Sequence, residues 1–219
     1  MEILLGETQA ELLPGRAVFL PQSKTLVVAD LHLGKSATFR KRGLPVPEGT
    51  TKSDLDRLAA LLKATQPTQL IVAGDLVHSA DGLNETILTT IEDFFGQLPI
   101  PTILTEGNHD SRAWISQRKL PFQILPQLRV DEITITHDPA DLNKGEPGIA
   151  GHLHPGVRIR DTRRTSLRIP GFFLKAHQHL ILPAFSEFTG IHPMSLESND
   201  RFFGEIRDQI QEIPPQLIR

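Results

Sequence analysis

The chain has 219 residues, 39% of them hydrophobic and 22% charged, with a formal net charge of −3. That length carries one large domain or two small ones with an ample core. The weak negative charge excludes coating of nucleic acid through global charge, though not through a local basic patch. Cysteine is absent, which excludes disulfides and thiolate metal sites and leaves His, Asp, Glu and Asn as metal donors.

The opening stretch, MEILLGETQAELLPGRAVFL, has no basic leader and no long apolar core. No later segment has the roughly 20 apolar residues that cross a bilayer, so a cytoplasmic protein without membrane contact is expected. Short β-branched runs bounded by turn residues predict strands over 25–30 (TLVVAD), 69–75 (QLIVAGD) and 101–107 (PTILTEG). Between them, Leu55, Leu58, Ala59 and Leu62 predict a helix over 51–65 behind a Thr/Ser cap region. Ile87, Leu88, Ile91, Phe94 and Phe95 predict a second over 84–96 behind Asn84. This alternation points to parallel βαβ units.

Further strands are predicted over 132–138, 148–154, 172–176 and 179–185, joined by tight turns as antiparallel hairpins. The last amphipathic segment, with Phe202, Phe203, Ile206 and Ile210, reads as a helix packed on the outside, although Gly204 weakens it. With no repeat, low-complexity tract or linker, residues 1–219 read as a single domain of two packed sheets.

Polar residues gather at the ends of these strands, where open α/β sheets place their sites. They are Asp30 and His32, then Asp75, then Asn108, His109 and Asp110, then His137, and finally His152 and His154. Any one of these is ordinarily a helix cap, a turn former or a satisfied polar group. Five successive strand ends bearing oxygen or imidazole donors instead suit a divalent metal such as Mn, Zn, Fe or Mg. On an extended segment His152 and His154 point the same way and can serve adjacent metals. The second His-x-His pair, His177 and His179, is expected on a hairpin turn outside the site, and His192 stays undecided. His78 reads equally as a rim contact or a plain loop histidine.

The blocks DLH, GD, GNHD, H and GHLH, in that order between residues 30 and 154, resemble the calcineurin-like metallophosphoesterase superfamily. The resemblance implies a four-layer α/β/β/α sandwich of two mixed sheets flanked by helices. It implies two divalent ions, manganese first, with Asp30, His32, Asp75 and His154 around one. Asp75, Asn108, His137 and His152 would hold the other, with Asp75 bridging. His109 would be a substrate contact or general acid oriented by Asp110. Two ions about 3.5–4 Å apart clamp a phosphoryl group while a bridging hydroxide attacks in line. Their surplus positive charge stabilises the transition state, and an imidazole tuned by a carboxylate supplies the leaving group's proton. A non-catalytic scaffold on this fold would ordinarily have lost ligands or the acid.

The segment 34–43 leaves directly from the first ligand block with Lys35, Arg40, Lys41 and Arg42. Lys35, Arg40 and His78 are taken as substrate contacts. A second basic run, with Arg158, Arg160, Arg163, Arg164 and Arg168, reads either as contacts to polynucleotide phosphates or as the wet face of a hairpin. ADLHLGKSATFRKRGLPVPEGT, GDLVHS and LPAFSEFTG are similar to the bacterial DNA-ligase-associated, PdeM-type metallophosphoesterases. Ser186 and Ile191 stand where that pattern has glycine. The narrower resemblance implies a DNA-processing phosphodiesterase or endonuclease of the DNA damage response, functionally associated with a DNA ligase and a helicase. The alternative is a phosphodiesterase or phosphatase for small nucleotides. The oligomeric state is left open.

Overall fold

The computed structural model describes residues 1–79, 83–108, 110, 115, 118, 120–160 and 166–218, the side chains of residues 160 and 166 excepted. The first sheet has seven strands in chain order. β1 (Glu2–Leu5), β2 (Thr8–Leu13), β3 (Ala17–Leu20) and β4 (Thr25–Ala29) form an antiparallel meander. β5 (Gln69–Ala73), β6 (Thr102–Thr105) and β7 (Phe122–Leu125) extend it in parallel from β4. The expected strand–helix alternation is therefore present. Three strands precede it that the sequence reading did not assign. β1 and β2 bury only alternate residues, Ile3 and Leu5 on the first and Thr8, Ala10 and Leu12 on the second, and β3 is only four residues long, so no long apolar run marks them.

α1 (Lys35–Lys41) and α2 (Thr50–Thr65) connect β4 to β5, and α3 (Glu85–Gly96) connects β5 to β6. Leu55, Leu58, Ile91 and Phe95 from these helices share one cluster with Leu26, Val28, Leu70, Val72 and Leu104 of the sheet. Asn84 caps α3 as expected, its Oδ1 accepting from the Ile87 amide at 2.9 Å. At α2 the expected Thr/Ser cap is replaced by Gly49 in the left-handed conformation, with no side-chain cap.

The second sheet runs in the order β14-β11-β12-β13-β10-β9-β8, with β15 paired to β12 and β16 to β15. Its strands are β8 (Gln127–Val130), β9 (Ile133–Thr136), β10 (Gly148–Ala150), β11 (Pro155–Arg160) and β12 (Ser166–Lys175). β13 (His179–Ile181), β14 (His192–Pro193), β15 (Arg201–Ile206) and β16 (Gln209–Glu212) complete it. β10 lies parallel to β9 and β13, and β11 parallel to β14, so the sheet is mixed and not the set of antiparallel hairpins expected. The two sheets pack through Val27, Ala29 and Ile71 on one side and Ile135, Ile149, Phe172 and Leu174 on the other. This is the sandwich of two mixed sheets, with few helices. Its second outer face is covered by turns and coil, with Leu142, Met194, Leu196, Ile213 and Ile218 around Phe173, Ile181 and Phe202.

The C-terminal helix expected around Phe202 and Ile210 is instead the β15–β16 hairpin. Phe202 joins the outer cluster and Phe203 the inter-sheet core, which is what neighbours on a doubly buried strand do. Arg207 and Asp208, at φ 52° and 59°, make its two-residue turn. Several strands also stop early: the first at Ala29, the run over 148–154 at Ala150, and that over 179–185 at Ile181. His177, at φ 60°, lies in the turn between β12 and β13, outside the site as expected. Among the described residues no helix is long and apolar enough to cross a membrane.

Candidate metal centre

Because the strands end early, the candidate ligands sit in the loops just beyond them. Asp30, His32, Asp75, His152 and His154 all have left-handed backbones, with φ between 45° and 66°. Asp and His are among the residues that tolerate this region, yet each instance costs of order 1–3 kcal/mol and persists only where its surroundings enforce it. Here they do. The His32 amide donates to the Asp75 carbonyl at 2.9 Å, the Asp30 amide to that of Gly74 at 3.2 Å, and the Gly151 amide to that of His137 at 3.0 Å. The His152 amide donates to Asp30 Oδ2 at 2.8 Å. His152 and His154 thus reach the site from a tight bend and not from the extended segment the spacing suggested. The glycines of GD and GNHD permit the close approach: a Cβ on Gly74 would collide with the His137 ring, and one on Gly107 with the amide and carboxylate of Asp75.

The donor atoms converge in two places. His32 Nε2 lies 3.1 Å from His154 Nε2, and the two rings are perpendicular. His137 Nε2 lies 2.9 Å from Asn108 Oδ1 and 3.0 Å from His152 Nδ1. Donors that each stand about 2.1 Å from one ion are about 3.0–3.4 Å from one another, so these separations fit coordination. Asp30, His32 and His154 form one group of donors within 4.8 Å of one another, and Asp30, Asp75 and His137 form a second.

Both carboxylates face both groups. Asp30 Oδ1 is 3.6 Å from His137 Nδ1 and its Oδ2 is 3.6 Å from His154 Nε2. Asp75 Oδ1 is 3.7 Å from His137 Nε2 and its Oδ2 is 3.9 Å from His32 Nε2. Asp30 therefore stands between the groups as much as Asp75, the bridge the resemblance implies. Both side chains are almost completely buried, and Asp30 Oδ1 has no hydrogen-bond partner among the described residues. Buried carboxylates need a compensating cation or hydrogen bonds, and a neutral imidazole and amide set around them fits divalent ions.

His109 lies outside the described residues. The Asp110 carboxylate accepts from the amides of Leu76 at 2.9 Å, Val77 at 3.4 Å and Gly107 at 3.2 Å. It thereby ties the loop after β5 to the loop after β6, a bracing role that its position in GNHD did not disclose. Burial and the neighbouring Asp75 charge push its carboxyl up to about 7, against the three amides.

At the rim, Lys35 Nζ donates to Thr189 Oγ1 at 3.2 Å. Burial pulls its ammonium below the ordinary range, while the charges of Asp30 and Asp75 act the other way. His78 also belongs to the rim, edge-on to His32 at 5.5 Å and stacked on Phe39 at 6.1 Å. Arg40 turns instead to its own loop, donating to the Pro47 carbonyl at 2.9 Å. The sequence reading missed Phe39 and Phe188, whose rings meet edge-to-face at 5.6 Å beside His78. It also missed the cations beneath the 184–188 loop. Arg16 donates to the carbonyls of Ala184 and Ser186, at 3.0 and 2.9 Å. Arg57 donates to Asp54, Glu187 and the Phe185 carbonyl. Lone arginines far apart in sequence carry no periodic signal that could have revealed them.

The family model for calcineurin-like phosphoesterases matches residues 23–170, which span every candidate ligand. The chain belongs to the calcineurin-like phosphoesterase family. Fold, donor set and family together make this phosphoesterase a metal-dependent enzyme. Among solved structures it is similar to the Pseudomonas putida nuclease MPE, at 29% identity and a TM-score of 0.81, over 97% of this chain and 99% of that one. It also matches the Escherichia coli phosphoesterase YfcE at 15% identity and a TM-score of 0.41, over 89% of this chain and 99% of that one. No curated protein sequence matches it.

Proposed function

We propose that this phosphoesterase hydrolyses phosphodiester bonds at a dinuclear metal centre and that its substrate is DNA. The observation that carries the reading is the pair of donor clusters on either side of Asp30 and Asp75, with nitrogen and oxygen atoms 2.9–3.1 Å apart. Asp30, His32, Asp75 and His154 hold one ion, and Asp75, Asn108, His137 and His152 the other, with Asp30 close to both. Bound there, two divalent ions, manganese first among Mn, Zn, Fe and Mg, neutralise phosphoryl charge and make a water acidic enough to attack at neutral pH.

The chain's own residues do the rest. His109 protonates the leaving oxygen, Asp110 braces the loop that carries His109, and Lys35 and His78 face the substrate from the rim. The full-length likeness to a nuclease supports DNA over a small nucleotide. Kinship with the DNA-ligase-associated, PdeM-type proteins, a cytoplasmic setting, a DNA damage role and association with a ligase and a helicase belong to the same proposal.

A substrate panel with Mn²⁺ tests it: bis(p-nitrophenyl) phosphate, p-nitrophenyl phosphate, and single- and double-stranded DNA. The expected result is turnover of the diester and of DNA. Hydrolysis of the small substrates with DNA left intact assigns the enzyme to small nucleotides instead.

A further inference from the structure

The β11–β12 hairpin grows directly from the metal site, since β11 begins at Pro155 next to His154. Phe173 pairs with Ile181 and Ile181 with Ala150, so Phe173 lies level with the last strand residue before the ligand bend. Arg168 lies five residues back along β12 and pairs directly with Arg158. At about 3.3 Å per residue the pair stands about 17 Å past that level, at the end of the sandwich that carries the ligands.

Strand alternation fixes the face. Arg168 shares it with Phe172 and Leu174, which pack into the inter-sheet core, whereas Val157 and Ile169 face the outer cluster. The two arginines therefore project from the face turned toward the first sheet, beyond the strand ends where Asp30 meets the His152 amide. They stand beyond the sheet end that carries the ligands.

Like charges directly opposite on neighbouring strands destabilise a hairpin. Both arginines are exposed, and among the described residues neither guanidinium has a hydrogen-bond or ion-pair partner. Such a pair is compensated by an anion that reaches both side chains, and a polynucleotide running across the centre carries a regular row of phosphates.

We propose that Arg158 and Arg168 together bind a backbone phosphate of the DNA strand away from the scissile bond. The claim deepens the phosphodiesterase reading and rests on it for the direction in which the strand runs. The pair acts as a positioning element: it selects long polyanions over small diesters and touches no reacting atom.

The test is binding of a labelled single-stranded oligodeoxynucleotide, in chelator so that nothing is cleaved, measured by anisotropy across a salt series. R158Q/R168Q should bind about 10-fold more weakly, with the log–log salt slope reduced by about 0.7 for the one phosphate no longer neutralised. R158K/R168K should keep the slope, and Mn²⁺-dependent turnover of bis(p-nitrophenyl) phosphate should be the same in all three proteins. Unchanged affinity and slope in R158Q/R168Q, absence of binding by the wild type, or an equal loss on the small diester would each overturn the proposal. If the wild type hydrolyses no diester while the binding difference persists, the phosphodiesterase reading falls and the phosphate contact stands.

Discussion

Asp75 is the residue on which most of the site depends. Its two oxygens face His137 and His32, and its amide and carboxylate lie against Gly107. Asp75→Asn keeps the shape and removes the charge, so kcat/KM on a phosphodiester should fall by about 10³-fold while the melting temperature without metal stays the same or rises. Loss of folding in that variant, seen by circular dichroism, would contradict the assignment of charge as its contribution. Gly107→Ala tests the packing instead. A methyl group there must displace the Asp75 loop, and overpacking of this kind costs about 1–3 kcal/mol, measurable by urea unfolding without metal. The chemistry at these positions was legible in the sequence because GD, GNHD and GHLH place donors and glycines side by side. The left-handed backbones at Asp30, His32, Asp75, His152 and His154 were not, since Asp and His carry no unique signature of that conformation.

Two elements show how packing decides what pattern leaves open. The segment with Phe202, Phe203, Ile206 and Ile210 satisfies a helical spacing, yet it is a hairpin. β12 offers an edge to pair with, and two adjacent phenylalanines can then be buried in opposite layers. That hairpin is clamped by Arg201, which donates to both Glu212 oxygens at 2.9 and 2.6 Å and holds the Glu212 carboxyl below the ordinary range. A lowered carboxylate pKa stabilises above the unfolded value near about 4.3 and is lost as pH falls below it. Arg201→Gln should therefore cost up to about 1 kcal/mol at pH 7, a partly exposed pair's worth, and the difference from wild type should shrink steadily as pH is lowered through the depressed Glu212 titration in urea series. The 184–188 loop is held by longer-range contacts. Arg57 sits over the Phe185 ring at 4.4 Å and pairs with buried Asp54 at 2.9 Å. Arg57→Ala leaves that carboxylate with only the Glu187 amide and the Ser186 side chain, with an expected loss of about 1.5–3 kcal/mol and a raised KM, because Thr189 and Phe188 follow on the same loop.

For the whole molecule, the two-sheet sandwich brings loops from β4, β5, β6, β9 and β10 to one end, and the site exists only when both sheets are docked. The βαβ half was legible because helix and strand periods alternate cleanly there. The N-terminal meander was hidden, since half-buried strands such as Thr8–Leu13 mix polar and apolar residues. Ion binding should stabilise this arrangement globally, because folding alone assembles the donors. At about 100 times the dissociation constant the gain is about 2.7 kcal/mol, which for a chain of this size raises the melting temperature by about 5–10 °C. The most direct test of the dinuclear centre is the number of Mn²⁺ ions bound per chain, by equilibrium dialysis of metal-free protein. Two ions in the wild type, with a marked loss in Asp75→Asn, is the expected result; a single ion in the wild type, or two retained in Asp75→Asn with unchanged affinity, would contradict it.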